Sequence, residues 1–263
     1  SGSSDPEGSD DVYTIKIGHV GSDTQHYTTA AKHFKELVEE RSEGRIEVEI
    51  YPSSQLGDER EIYGGMQMGT VEMGILSSGP AAGFVPEMAL LDLGYLYETR
   101  EIAQEVLNGP IGEKLNEKMI EAGIRRLGVI DMGFRHIYGN SPITSVNDLQ
   151  GLTIRTLETP AHIALFEELG ANPTPMGFSE LYTGLQQGVV DLAENTPDFF
   201  YDSGHQEVVS DLSLTSHAYL TIMHLISEQF YQNLPEDLQT IVTDAADETI
   251  TYHNEVIAEQ QAE

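Results

Sequence analysis

The chain has 263 residues and a formal net charge of −31, with 44 Asp and Glu residues against 13 Lys and Arg residues. This charge excludes nucleic acids and anionic membrane surfaces as partners, because both are themselves anionic. No run of about 18 apolar residues occurs, so the sequence predicts no membrane-spanning helix. Cysteine is absent, which excludes disulfides and thiol chemistry.

The acidic excess also bears on the conditions in which the chain works. A disordered acidic chain would lack regular apolar patterning, whereas this sequence has it. In about 1 M salt the Debye length falls to about 3 Å, so crowded carboxylates hardly repel one another. A folded, acidic, lysine-poor chain is therefore typical of a halophilic source.

The amino-terminal part predicts a linker followed by a β-α-β unit. Residues 1–11 are small and polar, which predicts a flexible linker. Alternating apolar residues predict strands over 12–18 and 45–51, and an apolar stripe predicts a helix over 26–41. Two strands joined by a helix are expected to pair in parallel.

Residues 71–133 are predicted to form further strands and helices. A third strand is expected over 71–76, helices over 98–123, and a strand over 124–130. The apolar run 84–96 is expected in the core, and the chain is expected to leave the sheet at 131–133.

Two short strands predicted in the stretch 151–199 end in polar side chains. Arg155 closes a strand over 152–156, and Asn195 follows a strand over 189–193. In open α/β sheets ligands bind outside the carboxyl ends of strands, and a guanidinium with a nearby amide suits a small organic anion. The spacing alone also fits an arginine in a surface ion pair and an asparagine in a turn.

The remaining segments contain a proline-rich run, another strand and a long helix. Residues 172–176 are too rich in proline to predict a regular element. A strand is expected over 220–226, followed by a helix from 235 to 263. The nine histidines show no His-x-x-x-His pair with a matching acid, so they are expected to be hydrogen-bonding groups at the surface or in a cleft, with no metal site.

The amino-acid sequence of 151–199 resembles that of the solute-binding subunits of tripartite ATP-independent periplasmic (TRAP) transporters, the DctP-like family. The matching runs are Gly151-Leu-Thr-Ile-Arg155, Leu169-Gly-Ala-Asn-Pro-Thr-Pro-Met176, Phe178-Ser-Glu-Leu-Tyr182, Leu185-Gln-Gln-Gly-Val-Val-Asp191 and Glu194-Asn195. Pro52-Ser-Ser-Gln-Leu-Gly57 also matches, and residues 211–219 resemble the family's strand that returns to the first lobe. The chain departs from the family pattern at Leu192-Ala193 and at Thr196.

The resemblance implies a set of ligand-binding residues and no catalytic residue. Arg155 would pair with a ligand carboxylate, Asn195 would assist it, and Phe178 would line the pocket. Arg135 would place a second arginine in the cleft, although an arginine at the edge of a strand could instead pair with one of the 44 acids. Loops at the cleft would add Glu59, Ser78 and His19, although Glu59 could instead be an acid that stabilises a helix N-terminus.

The resemblance also implies an α/β fold with two lobes like those of periplasmic binding proteins, a mixed sheet in each lobe and a hinge between them. Lobe I would comprise 12–132 and 215–263, including the long helix, and lobe II would comprise 133–214. The hinge would lie near 131–134 and 214–220. Because family members continue with another strand and further helices, more chain is expected after residue 263.

The implied function is capture of a small organic acid outside the cytoplasm and its delivery to membrane-embedded TRAP permease subunits. The protein would lie in the periplasm or on the outer face of the membrane, free or lipid-anchored, and would need no cofactor. Two arginines suggest a dicarboxylate, or a hydroxy or oxo acid. A metal-dependent hydrolase acting on a small acid is the alternative, and a cation-assisted anion binder is a third possibility.

The charge generates a first prediction. Diluting salt from molar to millimolar concentration removes the screening between 44 acids that only 13 bases offset. The melting temperature should therefore fall steadily with dilution, as measured by circular dichroism. A melting temperature independent of salt would contradict the halophilic interpretation.

Overall fold

Eight strands and nine α-helices form the main elements of the part of the chain that the computed structural model describes, residues 11–262. The predicted linker lies outside these residues except for Asp11. The strands are β1 (Tyr13–Gly18), β2 (Ile46–Tyr51), β3 (Met73–Ser77), β4 (Ile124–Gly139), β5 (Thr153–Thr156), β6 (Asn172–Pro175), β7 (Leu192–Asn195) and β8 (Asp211–Ser227). The helices are α1 (His26–Arg41), α2 (Glu59–Met68), α3 (Arg100–Asn108), α4 (Pro110–Glu121), α5 (Pro160–Glu168), α6 (Leu181–Gln186), α7 (Pro197–Asp202), α8 (Glu228–Asn233) and α9 (Glu236–Ala262). Within this range no helix is both long enough and apolar enough to cross a membrane.

The sheet is mixed, in the order β2-β1-β3-β8-β4-β7-β5-β6. Strand β1 pairs in parallel with β2 and β3, which confirms the pairing predicted for the β-α-β unit. At the other end β5 pairs in parallel with β6 and β7. The two long strands β4 and β8 run antiparallel to each other and to their outer neighbours β7 and β3.

Four apolar clusters divide the molecule into two lobes, as expected. In the first lobe one cluster lies under α1 and α9, and a second lies on the opposite face under α2, α3 and α4. In the second lobe one cluster lies under α5 and another lies under α6 and α7. Neighbouring side chains of β4 point to opposite faces of the sheet, so that Ile137 packs in the α5 cluster and Tyr138 in the other. This alternation follows from the two-residue repeat of a strand, and it lets one sheet support helices on both faces. Strands β4 and β8 pass through both lobes and join their sheets.

The prediction that the chain leaves the sheet at 131–133 is wrong, because β4 continues to Gly139. Gly133 has a positive φ of 81°, and the pairing of β4 with β8 shifts register between Asp131 and Phe134. The polar, glycine-containing sequence that suggested an end is a bulge inside a long strand. The two strands predicted over 211–226 are likewise one strand, β8.

The expectation of no regular element over 172–176 is also wrong, because Asn172–Pro175 forms β6. This strand lies at the edge of the sheet and pairs only with β5. The backbone N–H of Asn172 donates to Leu152 O at 2.8 Å, and Met176 N–H donates to Thr156 O. Pro173 and Pro175 alternate with these donors, so their missing N–H groups fall on the unpaired side of the strand.

The expectation of a buried core over 84–96 holds only in part. A 3-10 helix over Pro86–Asp92 buries Met88 and Leu91. Leu90 and Tyr95 are instead 55% and 63% exposed.

Three histidines form a buried chain in the first lobe, so the expectation of surface or cleft positions is wrong for them. His26 Nδ1 lies 2.7 Å from His253 Nε2, and His253 Nδ1 lies 3.0 Å from His224 Nε2. Neutral imidazoles can donate from one nitrogen and accept at the other, which permits this chain. Burial lowers the pKa of His26 to about 3 and that of His224 to about 4, with smaller contributions from His19.

These lowered pKa values predict acid sensitivity. Below the unfolded pKa of about 6.5 the unfolded chain takes up protons that the folded chain does not, so stability is lost as the pH falls from 6.5 toward the folded pKa. At about pH 5 one such histidine should lower the free energy of unfolding by roughly 2 kcal/mol relative to about pH 7.5. Urea titrations at the two pH values in molar salt measure this. His224→Leu should show a smaller fall, and an equal fall in both proteins would contradict the assignment.

Candidate functional site

Five of the predicted site residues line one small cavity between the lobes. Arg155 comes from β5, Asn195 from the end of β7, and Arg135 from β4. Glu59 opens α2, and Phe178 lies in the turn before α6. The other lining residues are Val20, Ser77, Leu157, Phe199, Leu220 and Ile222.

The cavity encloses about 10 Å³, which is about the space of a single water molecule. A neighbouring cavity of similar size shares Glu59, Arg155, Leu157 and Phe178. The lobes are therefore closed over the site, and a solute requires them to separate.

Arg155 is the positively charged group with spare hydrogen-bonding capacity. Its side chain is buried, and Nε donates to Met176 O at 3.0 Å. Within residues 11–262, Nη1 has no hydrogen-bond partner and no carboxylate pairs with the guanidinium. Burial and the charge of Arg135 lower its pKa. A buried cation with no carboxylate in direct contact is costly, so this position suits an incoming anion.

Arg135, in contrast, already has a carboxylate partner. Its Nε donates to Glu194 Oε2 and its Nη2 donates to Glu194 Oε1 at 2.8 Å, and both side chains are buried. His217 Nε2 lies 2.8 Å from the same Oε2 atom. Burial alone would raise the pKa of Glu194, but the charge of Arg135 and the hydrogen bond from His217 outweigh it and lower that pKa. The pair is therefore ionised and close to neutral in sum.

Glu59 and Asn195 complete the polar part of the cavity. Ser77 donates to Glu59 Oε2 from its backbone N at 2.6 Å and from Oγ at 2.7 Å. Asn195 Oδ1 accepts from Thr196 N–H at 2.9 Å, which leaves its amide NH₂ as the donor. Burial raises the pKa of Glu59, although the Ser77 bonds and both arginines oppose this.

The other two predicted residues do not line the cavity. Ser78 Oγ donates to Asp92 Oδ1 at 2.7 Å, and His19 Nε2 lies 3.1 Å from Thr28 Oγ1. Ser77, one position earlier, lines the cavity instead. Successive side chains of a strand point to opposite faces, so the choice between adjacent serines depends on a register that the sequence does not give.

A polar contact joins the lobes at the edge of the site. Ser179 donates to Asp58 from its backbone N at 3.0 Å and from Oγ at 2.6 Å. Gly177 lies so close that a Cβ atom there would be 2.2 Å from Asp58 Oδ2. Sequence reasoning missed this contact, since 121 residues separate its partners.

Sequence reasoning also missed Glu194, although this residue lies in the Glu194-Asn195 run that matches the family. A buried acid immediately before a proposed ligand-binding asparagine was the available signal. The part of the chain that the structure describes contains no group of three His, Cys, Asp or Glu side chains placed to hold a metal ion.

A two-lobe α/β fold with a small, charged cavity between its lobes defines a solute-binding protein. The chain belongs to the DctP family, described as bacterial extracellular solute-binding protein, family 7, whose model matches residues 17–263. This confirms the family resemblance.

Relatives with curated names include two periplasmic binding proteins. The 2,3-diketo-L-gulonate-binding periplasmic protein YiaO of Escherichia coli is 32% identical over 249 residues, which is 94% of this chain and 76% of the relative. The C4-dicarboxylate-binding periplasmic protein DctP of Rhodobacter capsulatus is 34% identical over 250 residues, with 94% and 74% covered.

Solved structures of TRAP periplasmic solute-binding proteins are also similar. One from Roseobacter denitrificans with bound L-galactonate has a TM-score of 0.93 and 35% identity, covering 96% of this chain and 84% of that one. One from Sulfurospirillum deleyianum with bound succinate has a TM-score of 0.90 and 35% identity, covering 94% and 80%.

The buried ion pair generates a stability prediction. Glu194→Gln leaves the Arg135 charge buried without its counter-charge, so the free energy of unfolding should fall by roughly 3–5 kcal/mol. Glu228→Gln is the control, because it breaks the bidentate Arg125–Glu228 pair, which is more exposed. Urea titrations in constant salt measure both. Equal losses in the two variants would contradict the role given to the Arg135 pair.

Proposed function

We propose that this protein captures a small organic acid outside the cytoplasm and delivers it to the membrane-embedded subunits of a TRAP transporter. The observation that carries the proposal is the buried Arg155 guanidinium, which lines a small cavity between the lobes and pairs with no carboxylate of residues 11–262. A ligand carboxylate would supply that missing partner. The protein itself would catalyse no reaction.

Arg155 is the better anchor of the two arginines. Arg135 would have to give up Glu194 before it could bind a ligand carboxylate bidentately, and that exchange would leave a buried carboxylate unpaired. Arg155 has no carboxylate partner among residues 11–262 to give up. The Asn195 side chain lines the same cavity, and its amide NH₂ can donate to an oxygen of the ligand carboxylate.

We also propose that the lobes comprise 12–132 with 215–263 and 133–214, and that the hinge lies where β4 and β8 cross between them. Ser216 in β8 has a positive φ of 46° and Gly133 in β4 has a φ of 81°. The β4–β8 pairing shifts register twice between Asp131 and Ile137. Such irregular positions can absorb the dihedral changes of domain opening.

The first test of this function concerns Arg155. Arg155→Ala should nearly abolish acid binding, because losing one partner of a buried charged pair costs on the order of 2–5 kcal/mol. Arg155→Lys should weaken binding substantially, since lysine keeps the charge but loses the guanidinium fork. Calorimetric titration with organic acids found in a thermal-shift screen measures both.

Arg41→Ala is the matched control for Arg155→Ala. Arg41 is an exposed arginine that pairs with Glu248 at 2.8 Å, away from the cavity. Its loss should leave affinity nearly unchanged. If Arg155→Ala bound the acid as tightly as the parent protein, the proposal would be overturned.

The second test concerns closure. Saturating ligand should reduce the radius of gyration in small-angle scattering, because the apo lobes open about the hinge. Ser179→Ala removes one hydrogen bond to Asp58 that exists only when the lobes meet, so it should raise Kd by roughly two- to tenfold. Ser210→Ala, which loses a hydrogen bond to the adjacent Asp211, is the control. Identical scattering with and without ligand would count against closure.

A further inference from the structure

The charges that face the cavity limit which acid it can hold. Arg135 is already neutralised by Glu194, so one arginine, Arg155, is left for the ligand. Two arginines in the sequence suggested room for two ligand carboxylates. The structure reduces that capacity to one.

Glu59 adds a negative charge to the same cavity. Both Ser77 donors bond to its Oε2 atom, and no residue of 11–262 donates to Oε1. Glu59 lines both small cavities, as Arg155 does. An acceptor with spare capacity therefore lies on the cavity wall together with the free cation.

From this arrangement we infer that the site selects acids with one carboxylate and at least one hydroxyl over the corresponding dicarboxylates. The inference rests on the proposed function and names its substrate class. The ligand carboxylate binds Arg155 and the Asn195 amide, and a ligand hydroxyl donates to Glu59. A hydrogen bond to an ionised acceptor is among the stronger kinds.

A second carboxylate in this cavity has no favourable place. It would be buried beside Glu59 with like charge, and the remaining guanidinium already has its partner. The solved relatives do not decide the matter, because one holds L-galactonate and another holds succinate. The selectivity follows from the charges of this chain.

The experiment uses acid pairs that differ at one end. D-Erythronate and meso-tartrate have the same carbons and inner hydroxyls, and differ in a terminal CH₂OH or carboxylate. L-Galactonate and galactarate form a second pair. Calorimetric titration in constant molar salt should give at least about a tenfold tighter Kd for the monocarboxylate of the pair that binds, which corresponds to about 1.4 kcal/mol.

Glu59→Gln tests the cause of that preference. Glutamine retains an oxygen that can accept from Ser77, but removes the charge that repels a second carboxylate. The preference should shrink about tenfold or disappear, mainly because the dicarboxylate binds more tightly. Glu61→Gln is the matched control, because it makes the same charge change at an exposed position of α2.

The outcomes distinguish a failure of the proposed function from a failure of the selectivity alone. If no acid binds, the proposed function fails and the selectivity fails with it. If acids bind but the dicarboxylates are equal or tighter, the selectivity alone is overturned. If the preference exists and Glu59→Gln leaves it unchanged while Arg155→Ala abolishes binding, the role of Glu59 is overturned.

Discussion

The buried Arg135–Glu194 ion pair is the interaction on which the site depends. It ties β4 to β7 where the lobes meet, and Glu194 also lies 2.8 Å from His217 of β8. Three strands are thus connected through one carboxylate. Because Arg135 is already paired, the field at the cavity has a single free source of positive charge, the guanidinium of Arg155.

The geometry of the strands places the other polar groups at the cavity. Strands β3, β5 and β7 direct Ser77, Arg155 and Asn195 to one place between the lobes. Helix α2 adds Glu59 at its first residue. A cation, an amide and an acceptor then surround a space that apolar side chains keep small, so the charge of a ligand would be felt strongly there.

The sequence predicted the order of strands and helices well, because alternation and apolar stripes are local signals. The positions of Arg155 and Asn195 could be predicted for the same reason, since each follows the apolar residues of a short strand. The sequence allows an acid to pair with Arg135 but does not identify Glu194 as that acid, because the two residues are 59 positions apart. To choose Ser77 over Ser78, the register of the strand must be known. To predict β6, one must know that its prolines face the unpaired edge of the sheet. The buried chain of His26, His253 and His224 likewise depends on packing between distant helices and strands.

A crystal structure of the protein with a bound hydroxy monocarboxylate would show directly which arginine holds the ligand. The ligand carboxylate should lie about 2.7–2.9 Å from nitrogens of the Arg155 guanidinium, the ordinary distance for a charge-assisted hydrogen bond. The Arg135–Glu194 pair should remain intact beside it. A ligand carboxylate bound to Arg135, with Glu194 displaced and Arg155 free of ligand, would contradict the anchoring role of Arg155.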